Sequence, residues 1–136
     1  MNATMDAPQS ADAVVSSVQT SCCVVGGGPA GVVLGLLLAR QGTPVTGLEA
    51  HRDFDRGFRG DTIHPSTLDR LRTKFPFVAI LPQAKFLEFL ANEAAKFPAF
   101  RLEFGANVQR LVQENGVTQG VRYRGEDDAW HEVLSP

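Results

Sequence analysis

The sequence predicts an α/β fold opened by a parallel βαβ unit, on three observations. Cys22-Cys-Val-Val25 is a short β-type run, Gly26-Gly-Gly28-Pro-Ala-Gly31 is a turn, and Val32 to Ala39 is an unbroken apolar helix-type stretch. A second β-type run, Pro44-Val-Thr-Gly-Leu48, ends on the acid Glu49. Strand, glycine turn, helix, strand and terminal acid together make a complete dinucleotide-binding half of a Rossmann-like sheet.

The elements follow in order. Residues 1 to 20 are rich in Ala, Ser, Asn, Gln and Asp with little periodicity, and they read as a mobile tail. That leaves one domain over 21 to 136. Each glycine of the turn serves a separate purpose. Gly26 permits the tight bend, Gly28 lets the backbone approach a pyrophosphate, and Gly31 lets the helix pack close on the strand. Pro29 suits the first helical turn, and the helix is expected over 29 to 42, buried on most sides. Its free first-turn amides and the positive end of its dipole suit an anion without help from lysine. Glu49 stands 23 residues after Gly26, close to the spacing of an acid that accepts hydrogen bonds from a ribose 2′-OH. A carboxylate there repels a 2′-phosphate, which favours FAD or NAD over NADP. Its plainer reading is a surface glutamate at a strand end.

His51 to Ser66 reads as a polar, glycine-broken loop leading into a short helix near 66 to 73. A β run near 77 to 81 follows. Phe86, Leu87, Leu90, Ala94 and Phe97 then mark one face of a helix over 84 to 96, which Pro98 closes. Beyond it come β-type runs near 100 to 104, 106 to 113, 117 to 124 and 129 to 134, read together as a β-meander. Asn115-Gly116 is a hairpin signal between two of them.

Composition excludes several classes. At 136 residues, 43% apolar and 21% charged, the chain can bury one modest core. A net charge of −2 with scattered basic residues supports neither nucleic acid nor an anionic membrane as partner. Residues 22 to 39 are 18 uncharged positions, but three glycines and Pro29 argue against a membrane span. No Lys, Arg or His precedes Arg40, so the expected address is cytoplasmic. Cys22 and Cys23 are adjacent on a strand and point to opposite faces, so they read as small buried residues. His51, His64 and His131 show no metal-ligand spacing, and no metal is expected. His64, before a proline at a helix entry, reads as structural.

Four stretches carry a resemblance: Val24-Val-Gly-Gly-Gly-Pro-Ala-Gly31, Phe58-Arg-Gly-Asp-Thr-Ile-His-Pro-Ser-Thr-Leu68, Phe75-Pro-Phe-Val-Ala-Ile-Leu-Pro-Gln83, and Phe100-Arg-Leu through to Gly120-Val-Arg-Tyr-Arg124. From about Cys22 to Leu134 the chain resembles FAD-dependent oxidoreductases of the aromatic-ring hydroxylase type, flavoprotein monooxygenases with a para-hydroxybenzoate-hydroxylase-like fold. The resemblance implies that Gly26, Gly28 and Gly31, with Pro29 and Ala30 between them, hold the FAD pyrophosphate and that Glu49 holds the adenosine ribose. It further implies Arg59 near the diphosphate and ribityl chain, Gln83 on the flavin side of the cofactor, and the backbone of Val108 against adenine. The implied activity is hydroxylation of a small aromatic or quinone-like substrate with NAD(P)H as electron donor.

The chain also departs from that family. Only Asp69 to Lys74 separate the Ser66-Thr67-Leu68 segment from Phe75-Pro-Phe77, where relatives build part of a substrate-binding sheet. The chain ends at Pro136 before the family's later Asp-Gly and Gly-Asp motifs. The expectation is therefore a nucleotide half with an incomplete substrate domain, with no catalytic residue assigned and an isolated chain that does not turn over. Two alternatives stay open: a truncated remnant that at most binds a nucleotide, and an NAD-linked reductase. Substrate, donor and oligomeric state are not legible.

Overall fold

Cys22–Val25 and Val45–Leu48 form parallel strands joined by the helix Pro29–Arg40, as the βαβ pattern requires. The computed structural model describes residues 13–55, 62–63, 66, 70, 79–80 and 82–136. In chain order its elements are β1 (Val14–Gln19), β2 (Cys22–Val25), α1 (Pro29–Arg40), β3 (Val45–Leu48), β4 (Thr62–Ile63), β5 (Ala79–Ile80), α2 (Gln83–Ala95), β6 (Phe100–Glu103), β7 (Asn107–Glu114), β8 (Val117–Arg124) and β9 (Trp130–Leu134). A parallel sheet runs β2-β3-β6, a second sheet runs β1-β9-β8-β7, and β4 pairs antiparallel with β5.

The parallel sheet is the middle of three layers. All four residues of β3 are buried. On one face Cys22, Val24 and Val45 pack with Ala39 of α1. On the other, Cys23 and Leu48 pack with Val121 and Val133 of the second sheet. The two cysteines are free and lie on opposite faces, as strand alternation dictates. Burial, with Cys22 adding to it, pushes the Cys23 thiol up to about 11. α2 lays Phe86, Leu87, Leu90 and Ala94 against Val32 and Leu36 of α1. Burying each of Leu87 and Leu90 contributes roughly 1.5–3 kcal/mol.

The structure corrects four expectations. Residues 14–19 are not tail: β1 pairs in parallel with β9, Ser17 opposite Glu132 and Gln19 opposite Leu134. Polar clasps hold it. Ser16 Oγ lies 2.7 Å from His131 Nδ1, whose Nε2 lies 3.0 Å from both Asp127 oxygens, and Ser17 Oγ donates to Glu132 Oε1 at 3.2 Å. After β1 the chain crosses between sheets at Thr20, whose hydroxyl donates to the Pro44 carbonyl at 3.0 Å.

The second correction concerns 100–103, which pair in parallel with β3 and so belong to the central sheet rather than the meander. The meander proper is β7-β8-β9. Its β7–β8 hairpin turns on Asn115 and Gly116, both at positive φ (51° and 79°), as the Asn-Gly signal predicts. Third, α1 buries a stripe, Val32, Gly35, Leu36 and Ala39, while Leu34 is exposed. The helix stops at Arg40 because Gln41 and Gly42, the latter at φ +77°, turn back onto Leu38 and Ala39 carbonyls. Fourth, the polar loop after β3 contains β4, which meets the expected strand near 79–80. Ser66 and Arg70 are helical. The rest of the helix expected over 66 to 73, with Arg59, His64, Phe75 and Phe77, lies outside the described residues.

Candidate nucleotide-binding site

The site is built where β2 hands over to α1. Gly26 holds φ at +104°, a conformation that side chains rarely adopt, and its N–H donates to the Leu48 carbonyl at 2.8 Å. Gly28 then serves as N-cap of α1, with Pro29 in the first turn and no acidic residue there. The amides of Ala30 and Gly31 have no acceptor within the helix, because the i→i−4 ladder starts with Val32 N–H to Gly28 O.

Adding a Cβ shows what each glycine makes room for. At Gly28 it would meet nothing within 4 Å, so the space beyond the turn is open. At Gly31 it would stand 2.0 Å from the Gly26 carbonyl oxygen and 3.3 Å from Val24 Cγ1, so this glycine is what lets helix and turn touch. Gly35 does the same against the Phe100 ring, with 2.9 Å to Cε2. The residual gap under α1, lined in part by Gly26, Gly31, Gly35 and Gly47, is about 10 Å³, too small for any ligand. A ligand must therefore sit outside the turn, over Gly28.

Glu49 follows β3 at the same end of the sheet. It is 2% exposed, and its carboxylate is held by the chain's own donors. Gly27 N–H donates to Oε2 at 2.6 Å; His51 N–H and Nδ1 both reach Oε1, at 2.9 and 2.6 Å. Buried carboxylates need such partners, since leaving one desolvated and unpaired costs several kcal/mol. A Cβ on Gly27 would lie 2.8 Å from Glu49 Oε2, so the middle glycine makes room for the acid. The turn and the acid are thereby one unit.

Residues 19–74 match the family model of the FAD-binding domain. The chain is also 32% identical, over 80% of its own length, to 6-methylpretetramide 4-monooxygenase of Streptomyces rimosus. These similarities support an aromatic-hydroxylase-type flavoprotein. The chain spans about a third of that relative, 35% of its length. Solved structures of similar fold include p-nitrophenol 4-monooxygenase from Pseudomonas putida (TM-score 0.70, 18% identity, 88% of this chain and 40% of that one). Another is a geranylgeranyl bacteriochlorophyll reductase-like protein from Thermoplasma acidophilum (TM-score 0.75, 18% identity, 88% and 38%).

The remaining residues expected to touch a cofactor take defined places in the fold. Gln83 is the first residue of α2. Because α2 leads into β6 through 96–99 and its end packs near Val45 and Ala39, it runs against the strands as α1 does. Both helices therefore start at the strands' carboxyl ends, which brings Gln83 to the same end of the sheet as Gly28. Val108 lies two residues beyond Ala106, whose N–H donates to the Glu49 carbonyl at 2.8 Å, and it packs with Leu48. Sequence reasoning passed over Gly27 and His51. The signals were there: three glycines in a row where the turn requires only the outer two, and a Glu-x-His spacing directly after the strand. A separate cleft of about 570 Å³ between Arg52–Asp55 and α2 is lined by both charge signs and by none of the turn glycines. Among the described residues no group of His, Cys, Asp and Glu is arranged to hold a metal. None of their helices is long and apolar enough to cross a membrane.

Proposed function

We propose that this chain is the cofactor-binding part of a flavoprotein monooxygenase that uses NAD(P)H and O₂ to hydroxylate a small aromatic or quinone-like substrate. One observation carries the reading: the open Cβ position at Gly28, at the positive end of α1 and beside the buried Glu49, is a cradle that fits a pyrophosphate with an adjoining ribose. Gly26, Gly28, Pro29, Ala30 and Gly31 would hold the FAD pyrophosphate, with Ala30 and Gly31 N–H donating. Glu49 would accept from the adenosine ribose and disfavour a 2′-phosphate. Gln83 would meet the flavin side and Val108 the adenine; Arg59 joins them on the family resemblance alone. When bound, the flavin supplies the redox and oxygen chemistry. The protein then orients the cofactor and excludes water rather than supplying an acid–base pair. The names of the Streptomyces and Pseudomonas relatives, both monooxygenases of ring-bearing compounds, support the substrate class.

The test is retention of flavin by the purified chain after FAD addition and desalting, with thermal melting in parallel. Retained flavin and a raised melting temperature are expected. A shift with NAD and none with FAD would replace the proposal by an NAD-linked reductase. No shift with either would leave a remnant that binds no nucleotide.

A further inference from the structure

The Glu49 carboxylate is held through more than its own strand. His51 contributes two donors to a single oxygen: its backbone N–H at 2.9 Å and its ring Nδ1 at 2.6 Å from Oε1. An ionised carboxylate only accepts, so the ring proton sits on Nδ1. The His51 backbone is itself fixed, because its carbonyl accepts from Gly105 N–H at 3.0 Å while the neighbouring Glu49 carbonyl accepts from Ala106 N–H. Its ring lies largely in solvent, with the side chain 61% exposed, yet it points Nδ1 at a Glu49 side chain that is 3% exposed. The ring contributes orientation to Glu49 rather than core packing.

Resting on the nucleotide reading above, we infer that His51 is a positioning residue that sets ribose selectivity by fixing the Glu49 carboxylate. With Oε1 pinned by His51 and Oε2 drawn towards Gly27, the carboxylate plane is set before any ligand arrives. A hydroxyl donor then meets an acceptor that needs no reorganisation. Without the ring donor, Oε1 loses one of the two donors His51 gives it. The carboxylate then samples other rotations, and its preference for a nucleotide bearing a 2′-OH falls.

The experiment is calorimetric binding of ADP, the adenosine diphosphate half of FAD, and of 2′-deoxy-ADP. It uses the full chain as wild type, His51→Leu and His51→Asn. Wild type should prefer ADP by about tenfold, the effect of one hydrogen bond to a charged acceptor. His51→Leu should bring the two ligands within about twofold of each other, and His51→Asn, whose side-chain amide can still donate to Oε1, should restore most of the preference. Equal weakening of both ligands in His51→Leu, with the ratio kept, would overturn the inference and leave His51 a structural contact. Failure of His51→Asn to restore the ratio would also overturn it, as would a wild-type ratio of one. If folded wild type binds neither nucleotide, the nucleotide reading itself falls, an outcome distinct from ADP binding with an unaltered ratio.

Discussion

Four glycines within six residues make different physical contributions, and substitution separates them. Gly28 faces open space in an extended conformation, so Gly28→Val should change stability by less than about 1 kcal/mol, as expected for an N-cap change away from Gly. Gly31→Ala drives a Cβ to 2.0 Å from a backbone oxygen. The forced shift should cost about 1–3 kcal/mol, more than the helix-propensity gain of roughly 1 kcal/mol recovers. Urea unfolding of the two variants would check this, and a Gly31→Ala protein as stable as wild type would refute the close packing of helix on turn. Most of this was legible at the residue scale, because a turn, a phosphate approach and a helix contact each demand glycine at a fixed offset. Glu49 was legible as an acid at a strand end, but its burial was not. Whether a carboxylate sits at the surface or under a glycine depends on Gly27 and on the His51 donors that reach it.

The helices and the meander were read closely because their signals are local. The 3–4 spacing of Phe86, Leu87, Leu90 and Ala94 needs no knowledge of the partner helix. Since Leu90 is 1% exposed between α2 and α1, Leu90→Ala should cost about 2–5 kcal/mol by chemical denaturation. Strand partners are a different matter. Val14-Val-Ser-Ser-Val-Gln alternates weakly, and β1 is a strand only because β9, more than a hundred residues later, offers it an edge. Phe100–Glu103 likewise reads the same whether it pairs in parallel or antiparallel. The clasp on β1 has a pH signature. The hydrogen bond from His131, followed by that from Ala129 N–H, holds the Asp127 carboxyl below the usual carboxylate range. A depressed folded pKa contributes stability above the unfolded value, near pH 4, which is lost as pH falls through the lower folded value. Asp127→Asn should therefore melt below wild type at neutral pH, and the gap should close as pH falls through the lowered Asp127 value. A gap independent of pH would remove the ionised Asp127 from the clasp.

Across the whole molecule, a central parallel sheet is covered by α1 and α2 on one face and by the β1-β9-β8-β7 sheet on the other. Both helix starts and the Glu49 unit lie at one end of that sheet. This convergence of three separate segments is what supports the proposed nucleotide site at the glycine turn. The sequence announced the turn and the acid; the route by which α2 brings Gln83 to the same end follows only from the parallel pairing of β6 with β3. The decisive experiment is a flavin-fluorescence titration of FAD with wild type and Gly28→Val, each monitored by circular dichroism. Saturable binding by wild type is expected, with an affinity at least about tenfold weaker in Gly28→Val and the fold intact. Equal FAD affinity in the two folded proteins, or no binding by folded wild type, would contradict a nucleotide cradle at Gly28.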